Sequence, residues 1–230
     1  MRSSSVSPFL WEVNPTQRPL IFILTLLLTA SCASQTSAEN RSLSSSEAGA
    51  HDWTYYFNIA GYLVPHDRSY GSPTFNADSE HLHFGARYNY ENTETGSFWF
   101  GYNLSAGDKL ALQFTPMVGG VVGETTGIAP GYKASLLLRR LELSTEGEFV
   151  FDLRNKSGSF FYSWMEFSYS PMDWWRAGLV AQRTKAYHTN LDIQRGMLIG
   201  FSRKKLDFTT YIFNAGWTDP TIVLALGFTF

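Results

Sequence analysis

The chain closes on TIVLALGFTF, residues 221–230. Ile222, Leu224, Leu226, Phe228 and Phe230 are large and apolar, and every one is separated from the next by a single residue. Thr221, Val223, Ala225, Gly227 and Thr229 between them are mostly small. Successive side chains of a strand point to opposite faces, so this pattern predicts a strand with one greasy side. A soluble protein usually leaves its terminus polar and frayed. Here the sequence stops on Phe230 in mid-pattern.

The same grammar runs upstream. In WTYYFNIAGYLV (53–64), Trp53, Tyr55, Phe57, Ile59 and Leu63 share one face. HLHFGARYNY (81–90) sets Leu82, Phe84, Ala86, Tyr88 and Tyr90 against His81, His83, Gly85, Arg87 and Asn89. Alternation returns at 97–104, 109–118, 131–139, 141–152, 159–169, 174–184, 191–202 and 206–216. Turn chemistry separates most of these segments: SAGD (105–108), NKSG (155–158), SPMD (170–173), RKK (203–205) and TDP (218–220). The spacing is that of an all-β protein.

Two all-β architectures fit alternation, a sandwich and a barrel. Charged residues make up 17% of the chain, below the usual ~25% of soluble domains, and aromatic residues make up 16%. No apolar run approaches the ~20 residues of a membrane helix. Barrels that cross membranes hide their apolar band in alternation, so window averages stay modest. Aromatic residues cluster near strand ends, as at Tyr88/Tyr90, Trp174/Trp175, Trp217 and Phe228/Phe230, which suits the two interfacial girdles of such a barrel. A net charge of −2 gives no basic footprint for a nucleic-acid partner.

The front end reads as a secretory leader. Arg2 and Arg18 precede an apolar core, Leu20 to Ala30, that is too short to span a bilayer. Small residues follow, and cleavage after Ala33 makes 1–33 a signal peptide. Cys32, the single cysteine, also stands where a bacterial lipoprotein carries its lipid, although Thr29 departs from the Leu that motif prefers. Residues 34–51, rich in Ser, Ala and Glu, read as a flexible periplasmic lead-in. The domain itself is expected at 52–230.

TIVLALGFTF resembles the C-terminal assembly strand of bacterial outer-membrane β-barrel proteins, which ends in an aromatic residue after alternating apolar ones. Ile222, Leu224, Leu226, Phe228 and Phe230 carry the resemblance, closely over about ten residues. It implies an integral barrel in the outer membrane, exported through the leader and recognised by the barrel assembly machinery, with outer-membrane lipid around it. Such barrels have an even number of strands, with tight turns on the periplasmic side. The segments above number eleven. Counting back from Phe230 at the periplasmic rim, one strand is missing between 53–64 and 81–90. SPTFNA (72–77), followed by Asp78-Ser79-Glu80, supplies it. The reading is a transmembrane antiparallel up-and-down barrel of twelve strands, with ten as the alternative.

The faces opposite the apolar ones then build the interior. Hairpin geometry gathers Glu142, Glu146, Glu166 and Arg176 into one sector toward the periplasmic end, with Arg87 as a further cation. Gln113, Glu148 and Gln182 also point inward, and Trp99, Tyr162 and Trp164 argue for a constricted lumen. The function expected is a structural barrel or a narrow pore for small solutes, lined by charges of both signs.

Chemistry is harder to find. His188 in KAYHTNLD could belong to a lipid-modifying enzyme with a site at the rim, the alternative function. No His/Ser pair arranged for nucleophilic attack accompanies it, so it reads as a solvated loop residue. His81 and His83 lie i, i+2 on one strand face, but two ligands make a weak metal site. GGVVGETTGIAPG (119–131) lacks the Lys of a phosphate loop and reads as a strand end and an extracellular loop. No catalytic residue, metal or cofactor is assigned.

Overall fold

A computed structural model describes residues 53–66, 68–183, 193–216 and 220–230. The leader, the lead-in, Cys32, His188 and Trp217 lie outside these residues. The strands are β1 (Thr54–Leu63), β2 (Tyr70–Asp78), β3 (Leu82–Tyr88), β4 (Thr95–Tyr102), β5 (Leu104–Ala106), β6 (Leu110–Gly123) and β7 (Gly127–Leu138). They continue as β8 (Leu141–Asp152), β9 (Phe160–Met172), β10 (Trp175–Arg183), β11 (Ile193–Arg203), β12 (Leu206–Phe213) and β13 (Thr221–Thr229).

Apart from β4 and β5, consecutive strands pair antiparallel, and β1 pairs with β13. The β4 and β5 segments both pair with β6 and form one stave interrupted at Asn103. The sheet is therefore a closed up-and-down barrel of twelve staves. The interruption is held by Asn103 itself. Its backbone N–H donates to the His81 carbonyl at 2.8 Å. Its Nδ2 donates to Asp78 Oδ1 at 3.2 Å and to the Ser79 carbonyl at 3.1 Å.

The segment at 72–77 is the strand that parity demands. As β2 it runs from Tyr70 to Asp78 and is paired on both sides. Pro73 has no N–H to give to a ladder. The ladder to β3 begins at Thr74, one residue past it.

Closure is completed at the terminus. Phe230 N–H donates to the Tyr55 carbonyl at 2.9 Å and Tyr55 N–H to the Phe230 carbonyl at 3.2 Å. The two rings stack with centroids 5.6 Å apart. Register then decides the faces. Ile222, Leu224, Leu226, Phe228 and Phe230 are 37–50% exposed, whereas Thr221, Val223, Ala225 and Thr229 are buried. Outward Phe98, Val122, Leu179 and Met197 continue the same band around the barrel. An apolar surface this continuous exceeds what a soluble monomer exposes and matches a barrel facing lipid.

The two ends differ. Five tight connections, 79–81, 107–109, 139–140, 173–174 and 204–205, lie at the end that holds Thr54 and Phe230. The described connections 89–94, 124–126 and 153–159 lie at the other end, termed the long-loop end.

Three sequence expectations are corrected. The stretch 119–131 is mostly strand: β6 runs to Gly123 and β7 starts at Gly127, leaving only residues 124–126 as a turn. Within it, Gly119 and Gly131 leave room for the inward ring of Trp99. Tyr90 is not a girdle residue but is buried, because β3 ends at Tyr88 and the chain bends inward. His81 and His83 do not share a face. His81 precedes β3, is exposed and stacks on Tyr102 at 5.6 Å, while His83 is fully buried.

Leu226, near the middle of β13, tests the lipid-facing assignment. Leu226→Arg should cost about 2–4 kcal/mol of folding free energy if it faces the bilayer interior. Urea titration of folding into lipid vesicles measures this; an unchanged midpoint would remove the lipid contact.

Candidate functional site in the barrel interior

The inward faces carry two charged groups rather than one. The first centres on Arg87 of β3. Its Nη2 lies 2.6 Å from Glu146 Oε1 of β8, and its Nη1 lies 3.2 Å from Glu148 Oε2 and 3.9 Å from Glu91 Oε1. The guanidinium stacks over the rings of Tyr90 at 4.2 Å and Trp99 at 4.7 Å. Arginine suits this place because its flat fork meets carboxylates edge-on while its face lies against aromatic rings. Tyr90 donates to Glu146 Oε1 at 2.8 Å. Ser97 donates to Glu91 Oε1 at 2.5 Å, and Trp99 Nε1 donates to Ser97 Oγ at 3.0 Å. Lys133 of β7 stands opposite Glu146 and donates to Asn76 Oδ1 at 3.3 Å.

Local backbone geometry brings Tyr90 and Glu91 into this group. Asn89 has φ of 54°, a left-handed conformation that asparagine tolerates. Its Oδ1 accepts from Glu94 N–H at 2.8 Å and its Nδ2 donates to the Gly71 carbonyl at 2.9 Å. The pinned bend breaks the alternation and turns two successive side chains inward. Burial raises the Glu91 carboxyl above its ordinary range, against the pull of Arg87 and of the bonds from Ser97 and Trp99. Trp99 needs open backbone beside it: a Cβ on Gly119 would come within 2.6 Å of its ring, and one on Gly131 within 3.1 Å.

The second group centres on Glu166 of β9. Its Oε2 accepts from Arg176 Nη1 at 2.8 Å. Its Oε1 accepts from Trp164 Nε1 and from the Tyr211 hydroxyl, both at 2.9 Å. Arg176 also donates to Thr209 Oγ1 at 3.3 Å. A register irregularity between Trp175 and Ala177 sets Glu166 opposite Val180, so Arg176 meets it by reaching along the strands. Glu142 stands opposite Ser168, two residues from Glu166. Near the same end, Tyr56 donates to Asp207 at 3.2 Å, under Gly227, where a Cβ would collide with both groups.

Of the five charged residues expected together, the structure thus joins Arg87 to Glu146 and Arg176 to Glu166. Glu142 lies on the side of the second pair. Arg87, near the end of β3, lies toward the long loops, and Arg176, at the start of β10, toward the tight turns. Sequence reasoning missed Lys133, Tyr211, Tyr90 and Glu91. Lys133 and Tyr211 were legible as inward positions by parity with their neighbours. Tyr90 and Glu91 were not, since their orientation depends on the bend at Asn89.

His83 Nδ1 lies 2.7 Å from Asp78 Oδ1 at the tight-turn end. Among the described residues, no three His, Cys, Asp or Glu side chains cluster as metal ligands.

No protein-family model matches the sequence. No curated protein matches it either. Solved structures do match in fold. The KdgM porin is similar with a TM-score of 0.52 at 8% identity, over 76% of this chain and 99% of that one. The KdgM porin in complex with disordered oligogalacturonate is similar with a TM-score of 0.53, at the same identity and coverage. Omp33 of Acinetobacter baumannii matches with a TM-score of 0.46 at 10% identity, over 77% of this chain and 98% of that one. The fold is that of the bacterial outer-membrane β-barrel proteins.

Arg87 is the shared cation of three carboxylates, so its loss strands buried charge. Arg87→Met should destabilise the barrel by about 3–5 kcal/mol. Arg176→Met should cost less, because Arg176 is 22% exposed and water screens that pair. Vesicle-based urea unfolding compares the two; equal losses would deny Arg87 its central place.

Glu91 predicts a pH dependence. A carboxyl whose folded value is raised binds its proton more readily in the folded state. Its contribution is therefore present at low pH and is lost as pH rises through that folded value. Glu91→Gln should flatten this part of the profile, read as the temperature at which the protein loses its SDS-resistant form at each pH. An unchanged profile would assign the dependence elsewhere.

Proposed function

We propose that this protein is an outer-membrane barrel with a narrow pore for small solutes. The observation that carries the reading is a closed twelve-stave sheet with an apolar outer band and a polar inner face. A purely structural barrel of this size has no need of so many buried ionisable groups, each expensive to desolvate. The porins of similar fold support the reading, and the KdgM porin is covered over almost its whole length.

By the usual orientation of such barrels, the tight turns lie in the periplasm and the long loops face outward. Phe230 and the ladder before it are then the handle offered to the assembly machinery during insertion. The inner faces carry Arg87, Lys133 and Arg176 with Glu91, Glu142, Glu146, Glu148, Glu166 and Asp207, so the lining holds both signs with carboxylates in excess. Trp99 and Trp164, both fully buried inward rings, narrow the passage.

Planar bilayers test this directly. The refolded protein should show stepwise conductance, with a reversal potential in a salt gradient that marks a preference for cations. Trp99→Ala should enlarge the step by opening the constriction. Folded, SDS-resistant protein that leaves the bilayer silent would sink the pore reading.

A further inference from the structure

The outer wall of the barrel is apolar almost everywhere, and its few charges are unevenly placed. Among the outward positions of the described strands, charged side chains stand at Arg183, Arg195 and Arg203. All of them are cations. Arg203 ends β11 beside the tight turn 204–205, at the rim. Arg183 and Arg195 lie toward the long-loop end instead. Both are exposed, while the adjoining Gln182 and Gln194 are buried, which fixes the two arginines on the outside.

Register sets the pair together. Arg183 of β10 is opposite Ile193 of β11, and Ala181 is opposite Arg195. The two arginines are thus diagonal neighbours, about 7–8 Å apart, within reach of one shared ligand. On its other side Arg183 faces Ser163 of β9. The rest of the surround is apolar: Met165, Leu179, Ile193 and Met197 are all exposed. Among the described residues, no carboxylate pairs with either guanidinium.

Depth makes this arrangement costly. Strand β10 runs from Trp175 to Arg183. At about 3.3 Å per residue and a tilt of about 40°, Arg183 stands roughly 20 Å above Trp175, and Arg195, level with Ala181, roughly 15 Å above it. The apolar band of such a barrel is ~25 Å tall. With Trp174 and Trp175 at the lower interface, both arginines leave the wall in the upper part of the band. Their long stems carry the guanidinium groups upward to the headgroups. An outward arginine without an anion is unfavourable at this depth, and two side by side repel each other. An anion held between them reverses both effects.

The place selects the anion. A dissolved ion would have to leave water for the edge of the hydrocarbon. The phosphate of a lipid headgroup is already there, and its acyl chains already lie against the wall. Guanidinium forks meet phosphate oxygens with paired N–H donors. We propose that Arg183 and Arg195 form a docking site on the outer wall for the phosphorylated headgroup of an outer-leaflet glycolipid. Its acyl chains descend over Leu179 and Met197, which are register partners on the same face. The proposal goes beyond the pore reading and shares with it only the orientation of the long loops. A barrel silent in planar bilayers would leave it untouched.

Native mass spectrometry of the full folded protein in neutral detergent tests the site. The probe is lipid A, an acylated disaccharide that carries phosphates. It should bind saturably, and excess inorganic phosphate should not displace it. The Arg183→Gln/Arg195→Gln variant should bind it at least about tenfold more weakly, as expected for lost charge-assisted hydrogen bonds, and should keep SDS resistance. Lys204→Gln/Lys205→Gln, at the opposite rim, should bind as the unaltered protein does. In phosphatidylcholine vesicles, added lipid A should raise the urea midpoint of the unaltered protein and leave that of the arginine variant in place. Equal affinity in the arginine variant would overturn the proposal. An equal loss in the lysine variant would also overturn it, by reducing the effect to diffuse charge attraction. The unaltered protein supplies a further check that needs no variant: binding dephosphorylated lipid A as tightly as lipid A would remove the phosphate from the contact and the proposal with it.

Discussion

Everything in this molecule depends on the hydrogen bonds between β1 and β13. A sheet in lipid has no water to satisfy its edges, so it closes or does not insert. Here closure extends from Leu63 against Ile222 to Tyr55 against Phe230, at the last residue of the chain. A slip of one residue would turn every side chain of β13 to the opposite face. Leu224, Leu226 and Phe228 would enter the interior, and Val223, Ala225 and Gly227 would meet lipid. The pairing therefore sets both the outer band and the inner lining.

The inner lining answers a second constraint, the cost of charge away from bulk water. Arg87 and Glu166 each act as a hub, one cation among carboxylates and one carboxylate among donors. Aromatic rings complete both hubs by stacking and by N–H or O–H donation. Glycine supplies the space. Trp99 lies over Gly119 and Gly131, and the Tyr56–Asp207 pair lies over Gly227. Small inward residues on one strand thus accommodate large inward residues on the next, which is how a barrel of this size fills its section.

Alternation alone was enough to read β6 through β13 as staves, because period two is a local property of the chain. The even strand number made 72–77 a strand even though Pro73 argues against one. Inward residues such as Arg87, Glu146, Glu166 and Arg176 were legible from the same parity. Their partners were not, since contacts across the interior depend on stagger and on side-chain reach. The irregularity at Trp175–Ala177 shifted Glu166 to Val180, which no reading of hairpin length could supply. The bend at Asn89 placed Tyr90 and Glu91 inside, against the alternation that precedes them. The sequence by itself thus determined the class of fold, the lipid-facing ladder and which faces turn inward, because each follows from neighbours along the chain. Only the tertiary structure decided that the charges form two groups and that the Trp164 and Phe213 rings meet across the strands that carry Gln182 and Gln194. Those relations run across strands, and closure of the barrel is what sets them.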